Sequence, residues 1–233
     1  MRRLEEMIVL LPVFKPGPHL SELVTELPRP DRVLIVDDGT GPAADARLAE
    51  AEARGCTVIR LPENRGKGVA LKAGFRRIRS RYPDSAVVCA DGDGQHSVAD
   101  IRAVAGRSEP GHIVLGVRRF DRMPPRSRFG NTVTRAAFRA ATGWTVTDTQ
   151  TGLRAYPADL LDPLCTVPGE RFEYEMNVLL YATEHGHPID EVPVPATYLH
   201  GNAGSYFSGI TDSARIYAPL LRHLLLSRRV TAS

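Results

Sequence analysis

The amino-acid sequence predicts an α/β domain: a mainly parallel sheet with helices on both faces. Three observations lead there. Short runs rich in Val, Ile and Leu alternate with helical patterns over residues 1–117, and such alternation builds parallel sheets covered on both sides. The 233 residues are 42% hydrophobic and 24% charged, enough apolar surface for one large core. Several apolar runs end in Asp and Gly, which suits a polar ligand beyond the carboxyl ends of strands.

Taken in order, Met7 to Val13, Arg32 to Val36, Cys56 to Leu61, Ser85 to Ala90 and His112 to Val117 read as strands, each short and bounded by Gly, Pro or Asp. His19 to Leu27, Ala43 to Arg54, Lys67 to Arg81 and Val98 to Arg107 read as the helices between them. Ser97 and Asp100 have capping-box spacing, which marks the start of the last of these. The second half is less regular. A Pro- and Arg-rich loop spans Phe120 to Ser127, helices are predicted at Phe129 to Ala141 and Phe172 to His185, and a strand at Ile189 to Val194. A terminal helix, Ile210 to Leu226, places Ile210, Ala214, Tyr217, Leu221 and Leu224 on one apolar face, with Arg215, Arg222 and Arg229 recurring beside it. That helix suits either packing on the domain or lying on an anionic lipid surface.

The longest apolar runs, Met7 to Phe14 and Ile216 to Leu226, are interrupted by Pro12, Pro219, Arg222 and His223 and fall short of the roughly 20 residues of a membrane span. The N-terminus reads as a first strand and not as a signal peptide, since Pro12 and Lys15 follow with no small-residue cleavage site. Cys56, Cys89 and Cys165 are odd in number and have no CxxC spacing, as expected of reduced thiols in a cytoplasmic protein with no zinc site. Between Arg118 and Arg139 seven Arg face one Asp, so this segment carries +6 while the whole chain carries +3. No helix-turn-helix or aromatic-interleaved pattern accompanies it, so nucleic acid is not the expected partner. Arg grips phosphate in a bidentate fork.

Asp91-Gly92-Asp93 follows an apolar strand directly and sets two carboxylates side by side where backbone can approach a ligand closely. That is a grip for a hard divalent cation bridging two phosphates, and also the composition of a plain tight turn. An EF-hand is excluded by the missing downstream Glu.

The remaining motifs decide between these. Val33-Leu34-Ile35-Val36-Asp37-Asp38-Gly39-Thr40, Asn64-Arg65-Gly66-Lys67-Gly68, Asp91-Gly92-Asp93-Gly94-Gln95-His96 and Asp148-Thr149-Gln150-Thr151-Gly152-Leu153-Arg154 occur in that order. Ser127-Arg128-Phe129-Gly130-Asn131, Glu173-Tyr174-Glu175-Met176-Asn177 and Asp212-Ser213-Ala214-Arg215-Ile216-Tyr217 complete the set. Together the chain closely resembles glycosyltransferase family two, and within it the dolichol-phosphate mannose synthases and bacterial polyprenyl-phosphate sugar synthases.

The resemblance implies an inverting transferase of the GT-A fold in a single domain of residues 1–233. Residues 1–117 would form a Rossmann-like half for the nucleoside-diphosphate sugar, 118–209 the acceptor half, and 210–233 the amphipathic helix and tail. Pro12, Phe14, Asp38 and Lys67 match the part that contacts the nucleoside. Asp91, Gly92 and Asp93 match the diphosphate site, with Asp91, Asp93 and Gln95 as ligands of Mg²⁺ or Mn²⁺. Arg118, Arg126 and Arg128 match positions that hold an acceptor phosphate. Glu173 falls where processive relatives carry a catalytic acidic residue, and Asp148 is either catalytic or structural, orienting Arg154 or capping a turn. His96 and His200 read as surface or hydrogen-bonding residues without a proton-transfer role.

A phosphate monoester is already largely ionised near neutral pH, with a second pKa of about 6, so it needs holding more than deprotonating. A hydroxyl acceptor needs a general base. The leading expectation is therefore transfer to polyprenyl phosphate, and the alternatives are a hydroxyl of a soluble small molecule or glycan, or a nucleotide-sugar-binding module without turnover. A nucleotidyltransferase is disfavoured, since Pro12 to Pro18 lacks the Gly-rich basic loop that such an enzyme carries. Two departures from the family pattern stand out: Lys15-Pro16 replaces a common Asn-Glu pair, and Val117 replaces a common Ser. Many relatives carry transmembrane helices after the catalytic domain. None follows here before Ser233, so a lipid acceptor would be met by peripheral contact at the inner face of the membrane.

Overall fold

The computed structural model describes residues 2–118, 125–195 and, nearer the C-terminus, Tyr217, Leu220 and Leu221. Its centre is a seven-stranded sheet: β1 (Ile8–Val13), β2 (Val33–Asp37), β3 (Thr57–Arg60), β4 (Val87–Cys89), β5 (Ile113–Arg118), β6 (Arg154–Tyr156) and β7 (Ile189–Val194), in the spatial order β3-β2-β1-β4-β6-β5-β7. Every pairing is parallel except those of β6, which runs antiparallel to both β4 and β5.

The helices are α1 (Arg2–Glu6), α2 (Pro18–Glu26), α3 (Asp45–Ala53), α4 (Lys67–Arg81), α5 (Val98–Gly106), α6 (Pro125–Thr142), α7 (Leu161–Thr166) and α8 (Glu173–Glu184). They cover both sheet faces. Along β1, Ile8 and Leu10 point into a core completed by Leu71 and Phe75 of α4, Phe138 of α6 and Leu179 of α8. The alternate residues Val9, Leu11 and Val13 pack with Leu20 of α2, Leu48 of α3 and Ile101 of α5. This is the period-two division of a strand buried on both faces.

The bounds of α4 and β7 coincide with the sequence reading, and α5 begins on the expected capping box: Asp100 N–H donates to Ser97 Oγ and Ser97 N–H to Asp100 Oδ2. Helix α6 starts at Pro125, inside the stretch read as loop; Pro is well suited to a first helical turn because its missing N–H has no partner there anyway. Of the terminal helix, Leu220 is buried in the core and Tyr217 Oη lies 3.3 Å from Thr134 Oγ1 on α6, while Leu221, assigned to the apolar face, is 59% exposed. The rest of that helix, together with His200, lies outside the described residues. No described helix is long and apolar enough to cross a membrane.

Candidate functional site

The carboxyl ends of β1, β2 and β4 lie side by side. Val13 is in register with Asp37, Asp38 N–H donates to Val13 O, and Ala90 N–H donates to Leu10 O, so Phe14, Asp38 and Asp91 emerge at one edge of the sheet. Pro12 is buried within β1, whereas Phe14 is only partly buried. Lys15 adopts φ +50°, a left-handed conformation uncommon for a non-glycine residue. Its N–H donates to Thr40 Oγ1 at 2.7 Å, and Thr40 is in turn held by the buried carboxylate of Asp37.

Asp38 is buried and spends both carboxylate oxygens on backbone: Oδ1 accepts from Arg65 N–H at 2.8 Å and Oδ2 from Gly66 N–H at 2.7 Å. Burial raises its pKa, against the pull of those two bonds. Asp38 thereby ties the Asn64–Gly66 turn to the end of β2. Gly39 is required by the same crossing, because a Cβ there would sit 2.1 Å from the carbonyl carbon of Glu63.

That turn delivers Lys67, the first residue of α4, into the interior. Its ammonium lies 2.7 Å from Asp91 Oδ1 and 3.0 Å from Glu175 Oε1, and the side chain is only 12% exposed. Burial alone would lower the Lys67 pKa; Asp91 and Glu175 outweigh it and hold the group protonated. Asp91 is only partly buried, its side chain 30% exposed; desolvation raises its pKa, but Lys67, His96 and Arg118 outweigh this and hold it below the usual carboxylate range. Asp93 behaves oppositely: burial and the nearby Asp91 push it up, while Gln95 opposes them through its backbone N–H at 3.1 Å and its side-chain amide at 2.6 Å.

This donor set fits a hard divalent cation. Two carboxylates crowd one strand end, one of them destabilised by the other, and the third candidate ligand contributes an amide oxygen. His96 adjoins them. It is 5% exposed, its Nδ1 has no hydrogen-bond partner among the described residues, and burial lowers its pKa against the pull of Asp91 and Asp93. Of the two readings of His96, surface or hydrogen-bonding, its burial removes the first. Among the described residues no three His, Cys, Asp or Glu side chains converge on one point.

The Asp148–Arg154 motif forms the floor. Gly152 passes so close beneath Asp91 that a Cβ would lie 2.2 Å from Asp91 Oδ2 and 2.7 Å from Lys67 Nζ. Arg154 is fully buried and donates from Nε to Thr151 O, from Nη1 to Glu175 O and from Nη2 to Thr149 O, locking the turn to α8. Asp148 is fully buried and engages Arg118, not Arg154: Arg118 Nε donates to Oδ2 at 2.7 Å and Nη2 to Oδ1 at 3.0 Å. It also accepts from Gln150 N–H at 3.1 Å, so the turn-capping reading of Asp148 matches its contacts.

Glu173 and Glu175 make different contacts. Glu173 opens α8, and its Oε1 accepts the N–H groups of Glu170 and Arg171 at 2.9 and 3.1 Å, a position where the exposed amides of a helix start favour a carboxylate. Glu175, two residues on, is the carboxylate that reaches Lys67. Its signal in the sequence was its phase: Val178, Leu179 and Ala182, three, four and seven residues on, are apolar and buried, so Glu175 opens the inward face of the helix. Arg128 is exposed on α6, and the side chain of Arg126 lies outside the described residues.

A parallel sheet with one antiparallel strand, whose strand ends gather Lys67, Asp91 and Asp93, is the frame of a GT-A-fold glycosyltransferase. The family model for glycosyl transferase family 2 matches residues 9–164, and the chain belongs to that family. Among curated relatives, it is 26% identical over 214 residues to the UDP-N-acetylglucosamine–dolichyl-phosphate N-acetylglucosaminyltransferase of Methanococcus voltae, covering 82% of this chain and 85% of that one. It is 30% identical over 190 residues to the undecaprenyl-phosphate mannosyltransferase of Micrococcus luteus, covering 75% of each. Among solved structures, glucosyl-3-phosphoglycerate synthase from Mycobacterium tuberculosis, crystallised with Mn²⁺, UDP and glucosyl-3-phosphoglycerate, superposes with a TM-score of 0.67 at 20% identity, over 94% of this chain and 79% of that one. The protein is a glycosyltransferase enzyme.

Proposed function

We propose that this glycosyltransferase moves a sugar, with inversion, from a nucleoside-diphosphate sugar to a polyprenyl phosphate. The observation that carries this reading is the Arg118–Asp148 pair, a guanidinium fixed by a bidentate contact at the end of β5 whose charge is felt by Asp91. Such a group holds an anionic acceptor in place. Of the two carboxylates considered as a base, Asp148 is engaged by Arg118 and Glu173 Oε1 accepts the Glu170 and Arg171 N–H groups, so this reading gives neither of them the deprotonation. An ionised phosphate needs no base: its oxygen forms the new bond to the anomeric carbon while the bond to the nucleoside diphosphate breaks. Two relatives named for lipid-phosphate acceptors support the same class.

In this reading Asp91, Asp93 and Gln95 hold Mg²⁺ or Mn²⁺. The cation, when bound, supplies Lewis-acid neutralisation of the leaving diphosphate. Asp38 shapes the nucleoside pocket by fixing the Asn64–Gly66 turn, Pro12 and Phe14 line its strand-end wall, Gly92 lets the backbone approach the diphosphate, and Lys67 fixes Asp91 from behind. Arg126 and Arg128 follow Arg118 toward the acceptor.

The test compares Arg118→Ala with Glu173→Gln, using undecaprenyl phosphate as acceptor. Arg118→Ala removes a charge-assisted contact of roughly 1.5–3 kcal/mol, so acceptor kcat/KM should fall about tenfold or more while donor affinity hardly changes. Glu173→Gln keeps an oxygen for the Glu170 and Arg171 N–H groups and should transfer nearly as well as the unaltered enzyme. If Glu173→Gln is inactive while Arg118→Ala transfers normally, Arg118 does not hold the acceptor and a base is needed, and this reading is wrong; no transfer to undecaprenyl phosphate by the unaltered enzyme would overturn it as well.

A further inference from the structure

We infer that Glu175 is a positioning residue that acts through Lys67: it balances the buried ammonium, so that Lys67 fixes Asp91 without repelling the divalent cation. The inference rests on the cation reading above and adds a residue to it. Lys67 Nζ bridges the two carboxylates at 2.7 and 3.0 Å, so Glu175 Oε1 is no farther from Asp91 Oδ1 than the sum of those contacts, 5.7 Å.

The arrangement has a definite charge logic. Asp91 needs a rigid partner, because a carboxylate at a strand end has several rotamers and Gly152 closes off only one side. An ammonium supplies that partner, yet a buried positive charge one contact away from a cation site opposes cation binding, and low-dielectric surroundings strengthen the opposition. Glu175 removes the conflict. Its side chain, 9% exposed, contacts the same ammonium as Asp91, and its backbone carbonyl is clamped by Arg154 Nη1 at 2.7 Å, which ties α8 to the motif floor. The carboxylates Asp91, Asp93, Asp148 and Glu175 face the cations Lys67, Arg118 and Arg154, leaving the region at −1; without Glu175 it would be neutral.

Glu175→Gln is nearly isosteric and keeps an oxygen for Lys67, so it changes charge more than shape. The unaltered protein and the variant are titrated with Mn²⁺ alone, followed by Mn²⁺ paramagnetic resonance, and separately with UDP or GDP in EDTA. Mn²⁺ affinity should fall about tenfold or more, the scale of one unit charge at this separation under partial screening. Metal-free nucleotide should bind more tightly, because the unmasked ammonium attracts the diphosphate. A lesion that only loosened the fold would weaken both. The double variant Lys67→Met/Glu175→Gln restores the formal charge and removes two buried ions together, which proteins tolerate better than removing one; its Mn²⁺ affinity should return most of the way, and it provides the readout if the single variant fails to fold. Equal Mn²⁺ affinity in the unaltered protein and Glu175→Gln, or joint weakening of cation and metal-free nucleotide binding, overturns the inference and leaves the cation reading standing. Absence of Mn²⁺ binding by the unaltered protein, with or without nucleotide, overturns the cation reading itself and the inference with it.

Discussion

Replacing Gly152 by Ala adds one methyl group at the place where the motif floor touches the cation site. The new Cβ would start 2.2 Å from Asp91 Oδ2, 2.8 Å from Asp91 Cγ and 2.7 Å from Lys67 Nζ, so one of the groups must retreat by about 1 Å to reach ordinary contact. Neither can do so freely. Asp91 Oδ1 is held by Lys67, and Lys67 is held by Glu175. The φ of Gly152 is not in the left-handed region, so Ala is tolerated by the backbone and the whole effect falls on the two charged side chains. A misplacement of that size costs about a hundredfold in rate when it strikes a reacting constellation. Overpacking costs about 1–3 kcal/mol of stability, which lowers Tm by no more than about 12 °C for a chain of this size. The assay is donor turnover at saturating acceptor, with thermal unfolding on the same preparations. Activity within threefold of the unaltered enzyme, with a normal Tm, would show that Asp91 and Lys67 do not work in this geometry.

Three further outcomes follow from the site. Asp93→Ala should abolish Mn²⁺-dependent donor binding while leaving Tm nearly unchanged, since Asp93 stands beyond the strand end; isothermal titration calorimetry with Mn²⁺ and with EDTA reads both arms. Asp148→Asn should raise the acceptor KM at least several-fold with little change in donor affinity, because Arg118 loses its bidentate charge partner; steady-state kinetics with acceptor varied at fixed donor would reveal an unchanged KM if the pair has no such role. Arg154→Met should be the most destabilising of these, since it strands three buried carbonyl acceptors of Thr149, Thr151 and Glu175. The expected loss is roughly 3 kcal/mol or more, seen as a Tm drop of about 6–12 °C; a drop under 2 °C would refute the locking role.

The parallel half of the fold was legible because its signals are local and periodic. Helix α4 carries a Gly before its first turn and an apolar repeat through Leu71, Phe75 and Ile78, and its predicted bounds match the structure. Strand β6 was invisible: three residues, the first a charged Arg, offer no alternation, and only the tertiary environment that buries Arg154 makes them a strand. The five-residue α1 and six-residue α7 lie below the length at which periodicity can be read.

The site divides in the same way. Strand-end motifs brought Asp38, Lys67, Asp91 and Asp93 to one edge, but not what each touches. Asp38 looks like a ligand-facing carboxylate until the chain returns at Arg65 and Gly66 to use both its oxygens. Glu173 and Glu175 are two carboxylates two residues apart, and helix phase separates them: the first reaches back to the Glu170 and Arg171 N–H groups that precede the helix, and the second faces inward to Lys67. Asp148 finds Arg118 across 30 residues, a pairing set by β5 and not by proximity in the chain.

Product identity tests the central claim most directly. The purified protein is incubated with Mn²⁺ and a panel of UDP- and GDP-sugars, with undecaprenyl phosphate in detergent micelles and phosphorylated and unphosphorylated soluble acceptors in parallel, and products are identified by mass spectrometry. The account predicts a polyprenyl-phosphate sugar that forms from one of these donors, disappears with EDTA, and is lost in Asp93→Ala. A sugar found only on a soluble hydroxyl acceptor, with none on the lipid phosphate under any donor, would contradict it.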